Sequence, residues 1–417
     1  MGRRKKLLAV ICILVICICA VFLFLQYQNR KSQTILNLTA EQKLSDFDTL
    51  CEILDKSYPF WGEVEQAGID REIVYNTYRT NIENTDTDIE FFKEIGYFLN
   101  EFDGFGHLSA LDGYMYRIYM DTISESNPLL SIEEEKSIEP LRKTLENSVS
   151  KNTYRLLDQS HAGFRSIIGL KEEYKNEDTE SITEPPEIVT SIYDERTAYI
   201  KIDSFELTRY QKDKEILEAF FEQITDISNL IIDLRGNSGG SDLYWQDLIV
   251  KPNAKANLTS ERYFLFNQNK ITDDYISALG VSKNEIDTLP KSLLSHYKNN
   301  FTHYTTDTKT FDVAKNPYSG TIWILIDDTV YSASENFVMF CKNTGFATLV
   351  GTSTNGDGGM ADPLLVSLPN SGLIIRFSIF YGLNRDGSGN EANGTKPDII
   401  ISENEDALTK CLERINH

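Results

Sequence analysis

One serine in the chain stands where an apolar run breaks and a helical pattern begins. Residues 321–340 read TIWILIDDTVYSASENFVMF, with Ser332 at the break. Ile322 through Ile326 form a short continuous apolar run, the pattern of a fully buried strand, and Phe337, Phe340 and Cys341 recur at helical spacing after Glu335. A strand, a turn and a helix N-terminus in that order expose a hydroxyl beside backbone N–H groups without intrahelical acceptors, which suits a nucleophile and an oxyanion. The same residues, Ser332-Ala333-Ser334-Glu335, also fit a capping box, in which the serine merely caps the helix. The glycines of a G-x-S-x-G elbow are missing, which disfavours an α/β-hydrolase.

Three further stretches carry residues able to do chemistry. LIIDLRGNSGGSDL, residues 230–243, puts Gly236, Gly239 and Gly240 directly after an apolar strand, so backbone N–H groups can approach a ligand with no Cβ in the way. A phosphate cradle would need Lys-Ser/Thr after the glycines; here Ser241 and Asp242 follow, and an ordinary tight turn is the remaining alternative. EFDGFGHLSALDG, residues 101–113, places His107 after two glycines on a loop or at the start of a strand. NRDGSGNEANGTKPDIIIS, residues 384–402, is a long glycine loop holding Asp386 and Glu391.

The elements that must position these residues follow from periodicity. Residues 39–100 are helical, with Phe47, Leu50, Cys51 and Leu54 on one stripe and Ile89, Phe92, Ile95, Phe98 and Leu99 on another. Residues 124–157 are again helical, and 172–187 form a charged connector. VTSIYDERTAYIKIDSF, residues 189–205, reads as a hairpin, 214–227 as an amphipathic helix and 229–234 as a buried strand. From there β and α segments alternate, the mark of an α/β core, down to a last short strand and a helix near 405–414. Residues 251–315 are polar with weak periodicity, a lid or insertion in the core, or more simply a surface excursion.

With 417 residues, 41% hydrophobic and 25% charged, the chain has room for several cores. Residues 7–25 are uninterrupted apolar, long enough to cross a bilayer, and follow Arg3, Arg4, Lys5 and Lys6 with no small-x-small exit. This reads as an uncleaved single-pass signal anchor with the bulk of the chain extracytoplasmic. The formal charge is -22, and setting aside those four basic residues leaves -26 on the rest, which argues against nucleic acid or anionic membrane as a partner. Of six cysteines, Cys12, Cys17 and Cys19 fall in the apolar run; Cys51, Cys341 and Cys411 form neither a disulfide framework nor a zinc spacing.

LIIDLRGNSGG, ILIDDTVYSASENF with GTSTNGDGG after it, and NEANGTKPDIII, in this order and spacing, resemble the tail-specific (C-terminal processing) and tricorn family of serine peptidases. The resemblance spans roughly 189–401. It implies a ClpP/crotonase-like α/β core with a helical N-terminal domain, a peptide or protein substrate and no cofactor. By position Ser332 corresponds to the nucleophile, and the N–H groups of Ala333 and of Gly239 or Gly240 to the oxyanion hole. The lysine base of many members falls where this chain has Asp357. His107, in a loop similar to that of the tricorn-like branch, is then the candidate base, with His161 second, and Glu391 the supporting acid, with Asp386 as its competitor. No stretch between Leu108 and Ile188 resembles the PDZ domain of tail-specific members.

The expected layout is a basic tip and transmembrane anchor at 1–26, a tether at 27–38, a helical domain at 39–110, an acidic helical connection at 111–188 and the α/β core at 189–417. The expected function is extracytoplasmic serine-type endopeptidase. The alternatives are an inactive ligand- or peptide-binding protein on the same fold, and an envelope anchor using 251–315 as its contact surface.

Overall fold

The computed structural model describes residues 35–124, 132–159, 187–293, 300–402 and 405–417. These fall into two compact units, each drawn from separate stretches of chain: one from the residues up to Lys56, Val64–Asp178 and Leu364–Phe377, the other from Ser57–Glu63, Thr179–Pro363 and Ser378–His417. The chain therefore leaves the second unit and returns to it, where the sequence reads as one run from residue 189.

The first unit is mainly helical. Helices Ala40–Ser57, Arg71–Glu83 and Asp88–Asn100 bury Phe47, Leu50, Leu54, Ile82, Phe92, Ile95, Phe98 and Leu99, all but Ile82 on the two stripes that periodicity picks out. Thr87 and Glu90 form a reciprocal capping box on the last of these helices. The buried carboxylate of Asp88 accepts from the amides of Leu36, Asn37 and Leu38, so the end of the expected tether is pinned to this helix. After a turn at Phe105–His107, strand Ser109–Ala110 pairs antiparallel with Ile374–Phe377, which pairs in turn with Leu364–Ser367. Asp46 holds the tip of that hairpin by accepting from the amides of Asn370 and Ser371.

A six-stranded sheet organises the second unit, in the order Ile399–Ile400, Thr348–Gly351, Thr321–Ile326, Asn229–Asp233, Thr197–Lys201, Val189–Asp194. All neighbours are parallel except the expected hairpin of Val189–Asp194 with Thr197–Lys201. The central strands are buried on both faces, which is why they read as unbroken apolar runs. Helix Ala407–Asn416 covers one face, placing Ala407 and Cys411 with Ile231, Leu325 and Val350. Helix Ala333–Thr344 packs through Phe337 and Phe340 into a buried aromatic cluster with Phe205, Tyr244, Trp245 and Phe311. The helix expected at 214–227 runs instead over Tyr210–Gln223, because a 3₁₀ turn at Leu207–Arg209 starts it early and the chain turns away after Ile224.

Residues 251–315 are not a surface excursion. Leu258–Phe266 and His303–Phe311 pair along their whole length, with Asn284–Glu285 and Tyr381–Gly382 on either side. Phe264, Leu265, Phe266 and Tyr275 are fully buried there. Among the described residues no helix is long and apolar enough to cross a membrane; residues 7–25 and His161 lie outside them.

All three tryptophans, Trp61, Trp245 and Trp323, belong to the second unit, so their fluorescence reports its unfolding. Phe337→Ala should cost about 3–5 kcal/mol by opening a cavity in the aromatic cluster, read as a fall in the urea midpoint with an unchanged slope. A shift within error of wild type would show that the cluster does not hold this helix.

Candidate active site

Ser332 stands at the N-terminus of helix Ala333–Thr344 with φ 55° and ψ −123°, a backbone conformation that costs a non-glycine residue on the order of 1–3 kcal/mol. Its side chain makes no capping hydrogen bond. The capping box is thus overturned: the amides of Ser334 and Glu335 both donate to the Tyr331 carbonyl, at 3.1 and 3.4 Å. Glu335 does not reach back but lies fully buried, accepting at Oε1 from Asn390 and Thr395. Ser334 is committed too, its hydroxyl donating to Asn237 Oδ1 at 2.6 Å. Of the two serines in the motif, only Ser332 keeps its hydroxyl out of the cap and the network below it.

The glycine loop lies against this turn. A Cβ on Gly239 would stand 3.0 Å from Ser332 Cβ and 3.1 Å from the Ala333 nitrogen, so the close approach requires glycine. The Gly239 amide donates to Asn237 Oδ1 at 2.9 Å and is already engaged. Gly240 bridges Phe205 through its neighbours, with the Phe205 amide donating to the Gly239 carbonyl and the Ser241 amide to the Phe205 carbonyl. That bridge leaves the Gly240 amide with no acceptor among the described residues. Ala333 supplies the first amide of its helix, one of those without an intrahelical acceptor.

Ion pairs that sequence reading missed hold the loop. Arg235 forks onto Asp233 at 2.9 and 2.7 Å and reaches Asp406, the N-cap of the C-terminal helix, at 2.8 Å. Burial pushes the Asp233 carboxyl up, but Arg235, the Tyr199 hydroxyl and Lys201 outweigh it and hold the group below the usual carboxylate range. The Gly236 amide donates to Thr329 Oγ1, tying the loop to the turn after strand Thr321–Ile326. The D-x-R-G spacing was the available signal.

From strand Leu258–Phe266 comes Arg262, buried beneath the site. It donates to Asn336 Oδ1 on the Ser332 helix at 2.5 Å, to the Gly358 carbonyl at 3.5 Å and to Asp307 at 2.9 Å. Asn336 in turn donates to Asp242 and to the Gly359 carbonyl. The supposed excursion therefore supplies the cation that joins the helix, the glycine turn and the segment after Gly240.

In that turn Asp357 is buried, with φ 54°, and occupies the lysine place of the resemblance. The Ser332 amide donates to the Gly356 carbonyl at 3.4 Å, and a Cβ on Gly356 would meet the Asn390 carbonyl at 2.4 Å and Glu391 Cα at 3.0 Å. The backbone of half-buried Glu391 thus packs against Gly356, the residue whose carbonyl holds the Ser332 amide. Its competitor Asp386 accepts from the amide and hydroxyl of Ser388, bonds that hold its carboxyl low and tie it to its own turn. Ser332, Ala333, Gly239, Gly240 and Glu391 all lie in the second unit; His107 belongs to the first. There it ends the 3₁₀ turn with φ 60°, its carbonyl accepting from Ser109 Oγ at 3.2 Å.

Residues 196–401, about half of the chain, match the model of peptidase family S41. The match spans all three motifs and bears out the resemblance to tail-specific and tricorn-like serine peptidases. No curated protein matches the chain. Among solved structures, a candidate peptidase from Parabacteroides merdae is similar at 18% identity over 90% of this chain and 96% of that one, with a TM-score of 0.52. Mature CPAF complexed with lactacystin is similar at 14% identity over 90% and 97%, also at 0.52. Likeness at such identity concerns the fold.

Arg262→Met should destabilise the second unit by about 2–3 kcal/mol, less than a fully buried pair would lose because Asp307 keeps Lys309 and some solvent. Adding Asp307→Leu should recover part of that loss, measured by urea unfolding on tryptophan fluorescence. Additive losses would contradict the pairing.

Proposed function

Because the chain belongs to peptidase family S41, we propose that it is a membrane-anchored, extracytoplasmic serine peptidase that cuts peptides or unfolded protein segments by a serine–histidine mechanism. The observation that carries this reading is the strained Ser332 turn, whose hydroxyl is kept out of the helix cap while Gly239 presses against it. Ser332 Oγ attacks the substrate carbonyl. His107 takes its proton and returns it to the leaving amine, and Glu391 supports the site from behind the glycine turn. The amides of Ala333 and Gly240 receive the oxyanion. Asp357 stands where lysine-dependent relatives carry their base, which is why the base is assigned to a histidine.

The same Asp357 favours a second reading, a non-catalytic peptide-binding protein on this fold. Hydrolysis of an unfolded protein substrate separates the two. Ser332→Ala, His107→Ala and the double variant should each lose about 10³-fold or more of the turnover, to similar residual levels, because the pair acts as one unit. Near wild-type turnover in folded His107→Ala, with loss in His161→Ala or Asp357→Asn, would reassign the base, and no turnover in the wild type would favour binding.

Anchoring rests on the apolar run at 7–25 behind four basic residues. The full chain should fractionate with membranes, and protease added to intact protoplasts should remove everything beyond the span. A soluble form whose first residue falls just after the apolar run would show that the span is cleaved.

A further inference from the structure

We propose that Glu335, three residues along the helix from the nucleophile, is a positioning residue that clamps the glycine turn against Ser332. The inference rests on Ser332 being the nucleophile and goes beyond it by assigning the group that holds the nucleophile turn in place. Glu335 is fully buried, and its Oε1 accepts from Asn390 Nδ2 at 2.6 Å and Thr395 Oγ1 at 2.5 Å. Each of these residues then grips the glycine turn. Asn390 Oδ1 accepts from the Gly358 amide at 2.7 Å. The Thr395 amide donates to Thr354 Oγ1 at 2.6 Å, and the Thr354 amide returns a bond to the Thr395 carbonyl at 3.3 Å. Between these two grips lie Asn355, whose amide donates to the Val330 carbonyl, and Gly356, whose carbonyl receives the Ser332 amide. The circuit closes on itself: from Ser332 across the turn to the loop 390–395, into Glu335, and back along one turn of helix.

Glu335 acts through its position as a hydrogen-bond acceptor. Its Oε2 is buried with no hydrogen-bond partner among the described residues. Burial pushes its carboxyl up against the opposing effect of the surrounding donors and of Arg262. Oε1 serves as a shared acceptor, which the glutamine carbonyl reproduces and alanine removes.

The test is the rate of covalent labelling by a fluorophosphonate, resolved into the covalent step and reversible affinity. Wild type and Glu335→Gln should label within about threefold of each other. Glu335→Ala should lose about 10²-fold in the covalent step with affinity little changed, the scale of a nucleophile displaced by about 1 Å. A folded Glu335→Ala labelled at the wild-type rate overturns the clamp, as does a folded Glu335→Gln as slow as the alanine variant. Should Glu335→Ala fail to fold, Thr395→Val decides: it removes one donor, and an unchanged rate overturns the proposal. A folded wild type that does not label overturns the serine-peptidase reading itself, and the clamp with it.

Discussion

A serine with a left-handed backbone is unfavourable, and the second unit is built so that Ser332 has nowhere else to go. Its amide is tied to Gly356, its carbonyl accepts from Asn336, and Gly239 fills the space beside its Cβ. At this positive φ the hydroxyl makes no cap, and the Tyr331 carbonyl takes the amides that a capping serine would have satisfied. Strain of this kind persists only where the surroundings over-determine it. Here three loops and a buried arginine do so.

Those loops reach one place because parallel strands end together. The glycine loop leaves Asn229–Asp233, the Ser332 turn leaves Thr321–Ile326, and the turn at 352–359 leaves Thr348–Gly351, all at the same edge of the sheet. Each is then locked by polar contacts that the helix Ala333–Thr344 carries on its first turn. Ser334 holds Asn237, Glu335 holds Asn390 and Thr395, and Asn336 holds Asp242 and Gly359. A helix with nine consecutive buried residues at its start would normally be apolar all round; this one is polar toward the loops and aromatic toward Phe205, Trp245 and Phe311.

Much of this was legible because burial writes itself into period. The unbroken runs of the central strands, the hairpin at 189–201 and the stripe through Phe337 and Phe340 all follow from which faces are covered. The Ser332 junction was visible for the same reason, but its alternative was equally visible, since Ser-x-x-Glu is the same string whether the glutamate reaches back to the cap or dives into the interior. Only Asn390 and Thr395, more than fifty residues away, decide between them. Strand His303–Phe311 was hidden because HYTTDTKTF is nearly all polar, its partner Leu258–Phe266 supplying the buried side chains. The hairpin through Leu364–Phe377 carries strand signals, yet nothing local says that it leaves the second unit to pair with Ser109–Ala110. The role of Arg262 needed the fold for the same reason.

The most direct test of the account is to locate the fluorophosphonate adduct by mass spectrometry on the folded wild-type chain. Ser332 and Ser334 share one peptide and differ only in what their hydroxyls do, the second being bound to Asn237. Fragment ions placing the adduct on Ser332, with Ser334 unmodified, are the predicted result. An adduct on Ser334 or elsewhere, or none on folded protein, would contradict the claim that the strained turn presents a working nucleophile.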